Sequence, residues 1–410
     1  MLHFIHQNLR WLAAGFLLTF ASAFGQTYLI SLFAADIKSA WSLTDGEWGA
    51  IYTIATLAAA LALFWRGSLA DTMPLSRLCA LVTVLFALSC LLMAWRGPVW
   101  VLGVALFGLR FCGHGMYTHM AMTATGRWFR AWRGRALSVV AQGYATAEII
   151  WPALAVLALQ TLGANVTWFL AAAILAFLVL PFMSYLLAEE RIPEGSETTD
   201  ESAGLAGRHW TRAEAARHWL LPALLPIMVA PAVLCTITYF QMTHVAAVKG
   251  WTLPQMAPGY PAFAVTMMIG SISSGWLLDR FGSTRLLPLV LLPLALGLGL
   301  IQPAVSPWTW WLCLGLLGLS MGLAMTLWGA VLPEFYGTRH LGAIRSLTST
   351  VTVFITALGP GVSGLLIDAG INYPRQSMVL TVATITLCGL GLVVSKGVTA
   401  QRHLAQNRLP

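Results

Sequence analysis

Eighteen uncharged residues separate Glu47 from Arg66, and eighteen more separate Arg77 from Arg96. The charge-free stretches from Glu148 to Glu189 and from Arg285 to Glu334 are each long enough for two crossings, with turns at 162–165 and at Ser306-Pro307. A bilayer crossing takes about 20 apolar residues at roughly 1.5 Å each. Hydrocarbon offers no partner to backbone amides, so runs of this kind must be helical. Twelve segments meet the requirement, at 11–33, 48–65, 78–95, 98–124, 136–159, 165–187, 220–243, 256–278, 286–305, 308–332, 346–367 and 376–395. The expected fold is an all-α membrane protein of twelve transmembrane helices. Only 9% of residues are charged, where a water-facing surface needs roughly 25%. Ala21-Ser22-Ala23 fits a signal-cleavage site, but the apolar stretch continues to Phe33 and cleavage would leave eleven spans. The first helix is therefore expected to be retained.

The net charge of +8 reads as a topology signal and not as a nucleic-acid surface. With the N-terminus cytoplasmic, inner loops and ends hold 18 Lys and Arg, outer loops hold four (Lys38, Arg96, Lys249, Arg375), and Arg110 within a span completes the 23. That asymmetry is the positive-inside pattern. It places the chain in a cell membrane (the inner membrane of a Gram-negative source) with both termini cytoplasmic. The six cysteines all fall within spans, with no CxxC pair, and are expected to pack as small apolar groups.

Residues 188–219 form the only long polar segment. It opens acidic and loop-like, then turns basic and helical from Thr211, where Thr211 and Glu214 have the spacing of a capping box. The segment separates a six-helix half, 1–187, from a second, 220–410. The halves repeat: Gly67-Ser-Leu-Ala-Asp71 follows the second span, Gly275-Trp-Leu-Leu-Asp279 follows the eighth, and Arg77 and Arg285 keep the same offset of 208. A parallel repeat of this kind puts a site at the midplane between the halves.

Gly275-x-Leu-x-Asp279-Arg280-x-Gly282 resembles the inner-loop motif of the major facilitator superfamily, and the resemblance covers essentially the whole chain. The first-half copy keeps Gly67, Leu69 and Asp71, with Thr72, Pro74 and Leu75 where the family has Arg, Gly and Arg. The resemblance implies that this loop packs against neighbouring helix ends and steadies the outward-facing state, a role that falls on Gly67, Asp71, Gly275, Asp279 and Arg280. Arg127-Trp-Phe-x-x-x-Arg133-Gly134-x-Ala136-Leu137-Ser138 looks like the loop into the fifth span of monocarboxylate and oxalate–formate type facilitators. Residues 211–221 are similar to the segment entering their seventh span. Two features depart from that subfamily: Gly113 lies three residues after Arg110 instead of four, and Gly143 to Pro152 replaces a proline-rich motif. The substrate is left open.

Arg110 and Glu148 lie inside spans four and five, where a charge costs roughly 3 kcal/mol on insertion scales. Each is fourteen residues from the loop that joins the two spans, a depth of about 21 Å. Opposite charges at one depth on neighbouring helices predict an ion pair. On an α-helical wheel, His114 lies about 40° and Tyr117 about 20° from Arg110, so the three share a face, while His119 lies opposite. Gln26, Thr27 and Tyr28 in span one, and Thr236, Tyr239 and Gln241 in span seven, add polar groups. The resemblance places span seven on the cavity.

The expected substrate site is therefore Arg110, His114, Tyr117, Gln26, Tyr28, Tyr239 and Gln241, with Glu148 as the proton-coupling residue. An embedded enzyme is disfavoured, since no HExxH, GxSxG, paired-carboxylate or P-loop motif is present. Met116-x-x-x-Met120 and Met321-x-x-x-Met325 keep copper open as a cargo, because thioethers select Cu(I). The 18 tryptophans keep open a planar vitamin such as riboflavin, and efflux of toxic compounds is also compatible. The expected protein is a monomeric, proton-coupled secondary active transporter for a small carboxylate-bearing solute, needing neither cofactor nor metal.

Overall fold

The computed structural model describes residues 6–66, 69, 73–129, 133–189, 204–337 and 339–406. Among them there is no strand. Eleven helices are long and apolar enough to cross a membrane: Leu9–Trp41, Asp45–Arg66, Leu75–Trp95, Val99–Gly126, Ala136–Leu162, Ala164–Leu186, Leu220–Phe240, Leu253–Leu278, Pro307–Tyr336, Ala343–Asp368 and Tyr373–Ala400. Each overlaps one of the expected segments. The twelfth, expected at 286–305, is different. A short helix, Ser283–Leu286, gives way to turns before Leu292–Ile301 resumes. Pro288 and Pro293 lack the amides that a continuous helix would use there, and Pro293 sits instead in the first turn of the resumed helix. The Ser320 hydroxyl donates to the Val290 carbonyl inside the break at 2.6 Å.

The described helices group into two compact units. The first holds residues 1–198 together with 239–244 and 360–369. Its first and fifth spans approach through small residues: a side chain at Gly143 would collide with the Phe16 carbonyl, and Thr19 Oγ1 donates to the Val140 carbonyl at 2.7 Å. Trp151 lies against Phe24 and Phe20, with ring centroids 4.7 and 5.5 Å apart. At the end of the bundle away from the linker, Asp368 accepts from the Thr44 hydroxyl and the Gly46 amide, both at 2.8 Å. There too Lys38 pairs with Asp45 at 2.6 Å, and Trp48 stacks on Phe240. His244 lies 3.8 Å from Asp45.

The second unit holds residues 199–238, 245–359 and 370–410. Its eighth and tenth spans touch along glycine: Gly318 faces the Phe263 carbonyl, Gly322 the Met267 carbonyl, and Gly270 the Leu319 carbonyl. Thr266 Oγ1 closes the seam onto the Gly315 carbonyl at 2.6 Å. In the linker, Thr211 and Glu214 form the expected capping box at the head of Arg212–Arg217. The Thr211 amide and hydroxyl hold the Glu214 carboxyl below its usual range. The six cysteines are all buried.

Candidate substrate site

The first span is not one helix. Leu9–Ala21 is α-helical, Ser22–Gly25 tightens to a 3₁₀ turn, and Gln26 is extended, at φ −86° and ψ 147°. A helix restarts at Thr27. Span four also leaves α geometry here, as a π-helix from Arg110 to Tyr117. The two irregular stretches meet at glycines. A Cβ on Gly113 would lie 2.8 Å from the Gly25 Cα, and one on Gly25 would strike the Leu109 carbonyl, so only glycine lets the backbones come this close. Non-helical backbone at membrane depth is tolerated where protein or a cavity satisfies it, and here Arg110 does so. Its Nη1 donates to the Gly25 carbonyl at 2.8 Å.

Arg110 is buried, and its guanidinium also lies 5.6 Å from the centre of the Tyr52 ring. Its Nε has no hydrogen-bond partner. The expected ion pair with Glu148 does not form. Glu148, fully buried, instead accepts at Oε1 from the Tyr239 hydroxyl at 2.8 Å, and its Oε2 is left without a hydrogen bond. Equal depth is one coordinate only. The broken first span offers Arg110 a free carbonyl, and the ring of Tyr52 offers a cation–π face, so the guanidinium turns to them.

His114 Nδ1 lies 2.8 Å from Gln26 Oε1, and Gln26 Nε2 donates to Ser22 Oγ at 3.2 Å. This joins the π-helix to the break in span one. His114 is reached by solvent although it sits far along the span. Tyr117 does not share the face of Arg110 as the α-helical wheel requires. The wider π turn changes the azimuth, and its hydroxyl lies 2.7 Å from Thr83 Oγ1 on span three, with the ring edge-on to Phe86. Tyr28 packs against Tyr144 and Tyr239, at 6.0 and 6.3 Å between ring centroids. Span seven is interrupted too: helix ends at Phe240 and resumes at Met242. Gln241 occupies the interruption, buried, with Nε2 lacking a hydrogen bond.

Tyr52, Tyr144 and the Gly25 carbonyl belong to this cluster and were not among the expected residues. Gly25 before the polar Gln26-Thr27 pair is the one sequence signal that marked the break.

The profile of the Major Facilitator Superfamily matches residues 15–360, and matches again over 262–400. The chain belongs to the Major Facilitator Superfamily. Members of the superfamily are transporters, and the twelve-span reading follows from the same fold. Two solved structures give the likeness in three dimensions. A bacterial homolog of the human lysosomal transporter Spinster, inward-facing and unoccupied, superposes with a TM-score of 0.69 at 16% identity, covering 95% of this chain and 97% of that one. The nucleoside transporter NupG superposes with a TM-score of 0.68 at 14% identity, over 96% and 98%. At these identities the likeness is one of fold. No curated protein matches the chain.

Of the superfamily's inner-loop motif, Gly67 and Asp71 lie outside the described residues, as does the side chain of Asp279. Gly275 has open space where a Cβ would stand. Arg280 is exposed, its guanidinium over Trp276 at 5.2 Å and over Phe281 at 5.5 Å. Among the described residues no cluster of three or more His, Cys, Asp or Glu is arranged for a metal ion. Of the methionines that kept copper open, Met116 and Met120 are buried while Met325 is exposed.

Proposed function

We propose that this facilitator is a secondary active transporter whose cargo is a small organic anion, bound at Arg110 with His114 and Gln26 beside it. The single observation that carries the reading is the isolation of the arginine: a buried cation with no carboxylate within ion-pair distance among the described residues, held by a carbonyl and an aromatic face. A buried charge without a counter-charge is costly, and a carboxylate on the cargo supplies one in charge-assisted form. Glu148 is the candidate proton carrier. Ionisable residues inside spans that face the interior recur as proton relays, and this one has an unused oxygen beside Tyr239. The two-half organisation and cytoplasmic termini complete the proposal, supported by the repeat at offset 208 and by the distribution of arginine and lysine.

A second reading is favoured by the rings. Tyr28 lies against both Tyr144 and Tyr239, the hydroxyl of Tyr239 donates to Glu148, and Tyr52 lies under Arg110. Such a lining suits a planar, vitamin-like solute. Uptake by vesicles containing the purified chain, under an imposed pH gradient, separates the readings. A labelled panel of mono- and dicarboxylates, riboflavin and copper is offered. Gradient-driven accumulation of a carboxylate is the expected result. Accumulation of riboflavin or copper with no carboxylate uptake overturns the anion reading.

A further inference from the structure

The second unit contains a cleft of about 320 Å³ that the transport reading does not use. It is lined by Leu277 and Phe281 of span eight, Leu289 and Val290 in the break of span nine, Leu323 and Leu327 of span ten, and by Arg285. The volume lies at the lower end of the roughly 300–1,000 Å³ of ligand sites. The broken ninth span creates it, because residues 287–291 turn where a continuous helix would have packed between its neighbours. Phe281 and Leu289 at its edge are exposed apolar side chains, which on a membrane-spanning protein face hydrocarbon.

The cleft has a charged mouth and an apolar floor. Arg285 lines the mouth and is exposed, and Arg280 rests on Phe281, itself a wall residue. Among the described residues no carboxylate lies within ion-pair distance of either arginine. From Phe281 the wall extends seven residues along span eight to Ser274, about 10 Å into the membrane. That is most of one leaflet's hydrocarbon, about 15 Å. Two cations at the end of span eight, with no carboxylate partner among the described residues, above a slot lined by apolar side chains, match an anionic headgroup above an acyl chain.

We propose that this cleft is a binding site for one anionic phospholipid, its phosphate held by Arg285 and Arg280 and one acyl chain lying between spans eight and ten. The lipid fills the space that the broken ninth span leaves, so the break is completed by the membrane instead of by protein.

The test uses the full-length chain in phosphatidylcholine nanodiscs doped with a phospholipid carrying a diazirine on one acyl chain. Crosslinked peptides are mapped by mass spectrometry. The phosphatidylglycerol probe is expected to label the segments holding Leu289 and Leu323 well above the phosphatidylcholine probe. Unlabelled phosphatidylglycerol should compete, and inorganic phosphate should not. Arg285→Gln should cut the preference for phosphatidylglycerol roughly fivefold, and Arg285→Lys should largely keep it. Leu323→Trp should fill the slot and remove labelling by both probes, with correct assembly checked by gel filtration. Equal labelling of wild type by the two probes overturns the proposal, as does an undiminished preference in Arg285→Gln. Competition by inorganic phosphate alone would make the arginines a free-anion site and overturn it as well. The readout is independent of transport, so failure here leaves the anion site at Arg110 untouched.

Discussion

Spans one and four in the first unit, and spans eight and ten in the second, solve the problem of helix contact in opposite ways. Both pairs use glycine to bring backbones together. In the second unit the helices stay regular, and Gly318, Gly322 and Gly270 give a continuous seam closed by Thr266. In the first unit the contact of Gly25 with Gly113 coincides with a break in one helix and a π-helix in the other. The consequence is chemical. Among the described residues the buried charged side chains are Arg110 and Glu148, and both belong to the first unit. Regular packing spends glycine on stability. Irregular packing exposes a carbonyl and so gives a cation a place to sit.

The contrast can be broken most directly at Arg110. Arg110→Gln is expected to reduce uptake to background while leaving the amount and melting temperature of purified protein near wild type, because Gln can still donate to the Gly25 carbonyl. A large fall in folded protein would instead make Arg110 a structural staple. Glu148→Gln should retain exchange of substrate across the membrane but lose its response to a pH gradient. An intact gradient response in that variant removes Glu148 from the coupling. In the second unit the expectation reverses. Gly318→Leu should lower stability by about 1–3 kcal/mol through overpacking against the Phe263 carbonyl, read as a drop in thermal midpoint, with the residual folded protein still binding substrate. The smallest effect is expected in the linker. Because Glu214 has a depressed pKa, its capping contribution is present above the ordinary value of 4.5 and is lost as pH falls through the lower folded value. A slight difference in melting temperature between Glu214→Gln and wild type should thus be seen at pH 7 and disappear in strong acid.

The readings that hold are those set by local composition. Eleven of the twelve apolar runs and the capping box depend on residues adjacent in sequence. The ninth span shows the limit: Pro288 and Pro293 stand plainly in the run at 286–305, yet hydropathy alone treats it as uniform. The ion pair fails for a different reason. Equal distance from the joining loop sets depth alone, whereas pairing depends on azimuth, and span four is a π-helix from Arg110 to Tyr117. That distortion coincides with a contact between Gly25 and Gly113, residues 88 positions apart. Gln26 and Tyr28 carried a signal as polar side chains, while the more important element beside them was a backbone carbonyl, which any residue possesses.

The burial of all six cysteines leaves the water-facing surface of this transporter without a reactive thiol. A water-borne maleimide meets none of them, so the natural chain already serves as a silent background for thiol labelling. One cysteine introduced at a position of choice becomes the reactive thiol, and its labelling rate with and without cargo is a clock for when that position meets water.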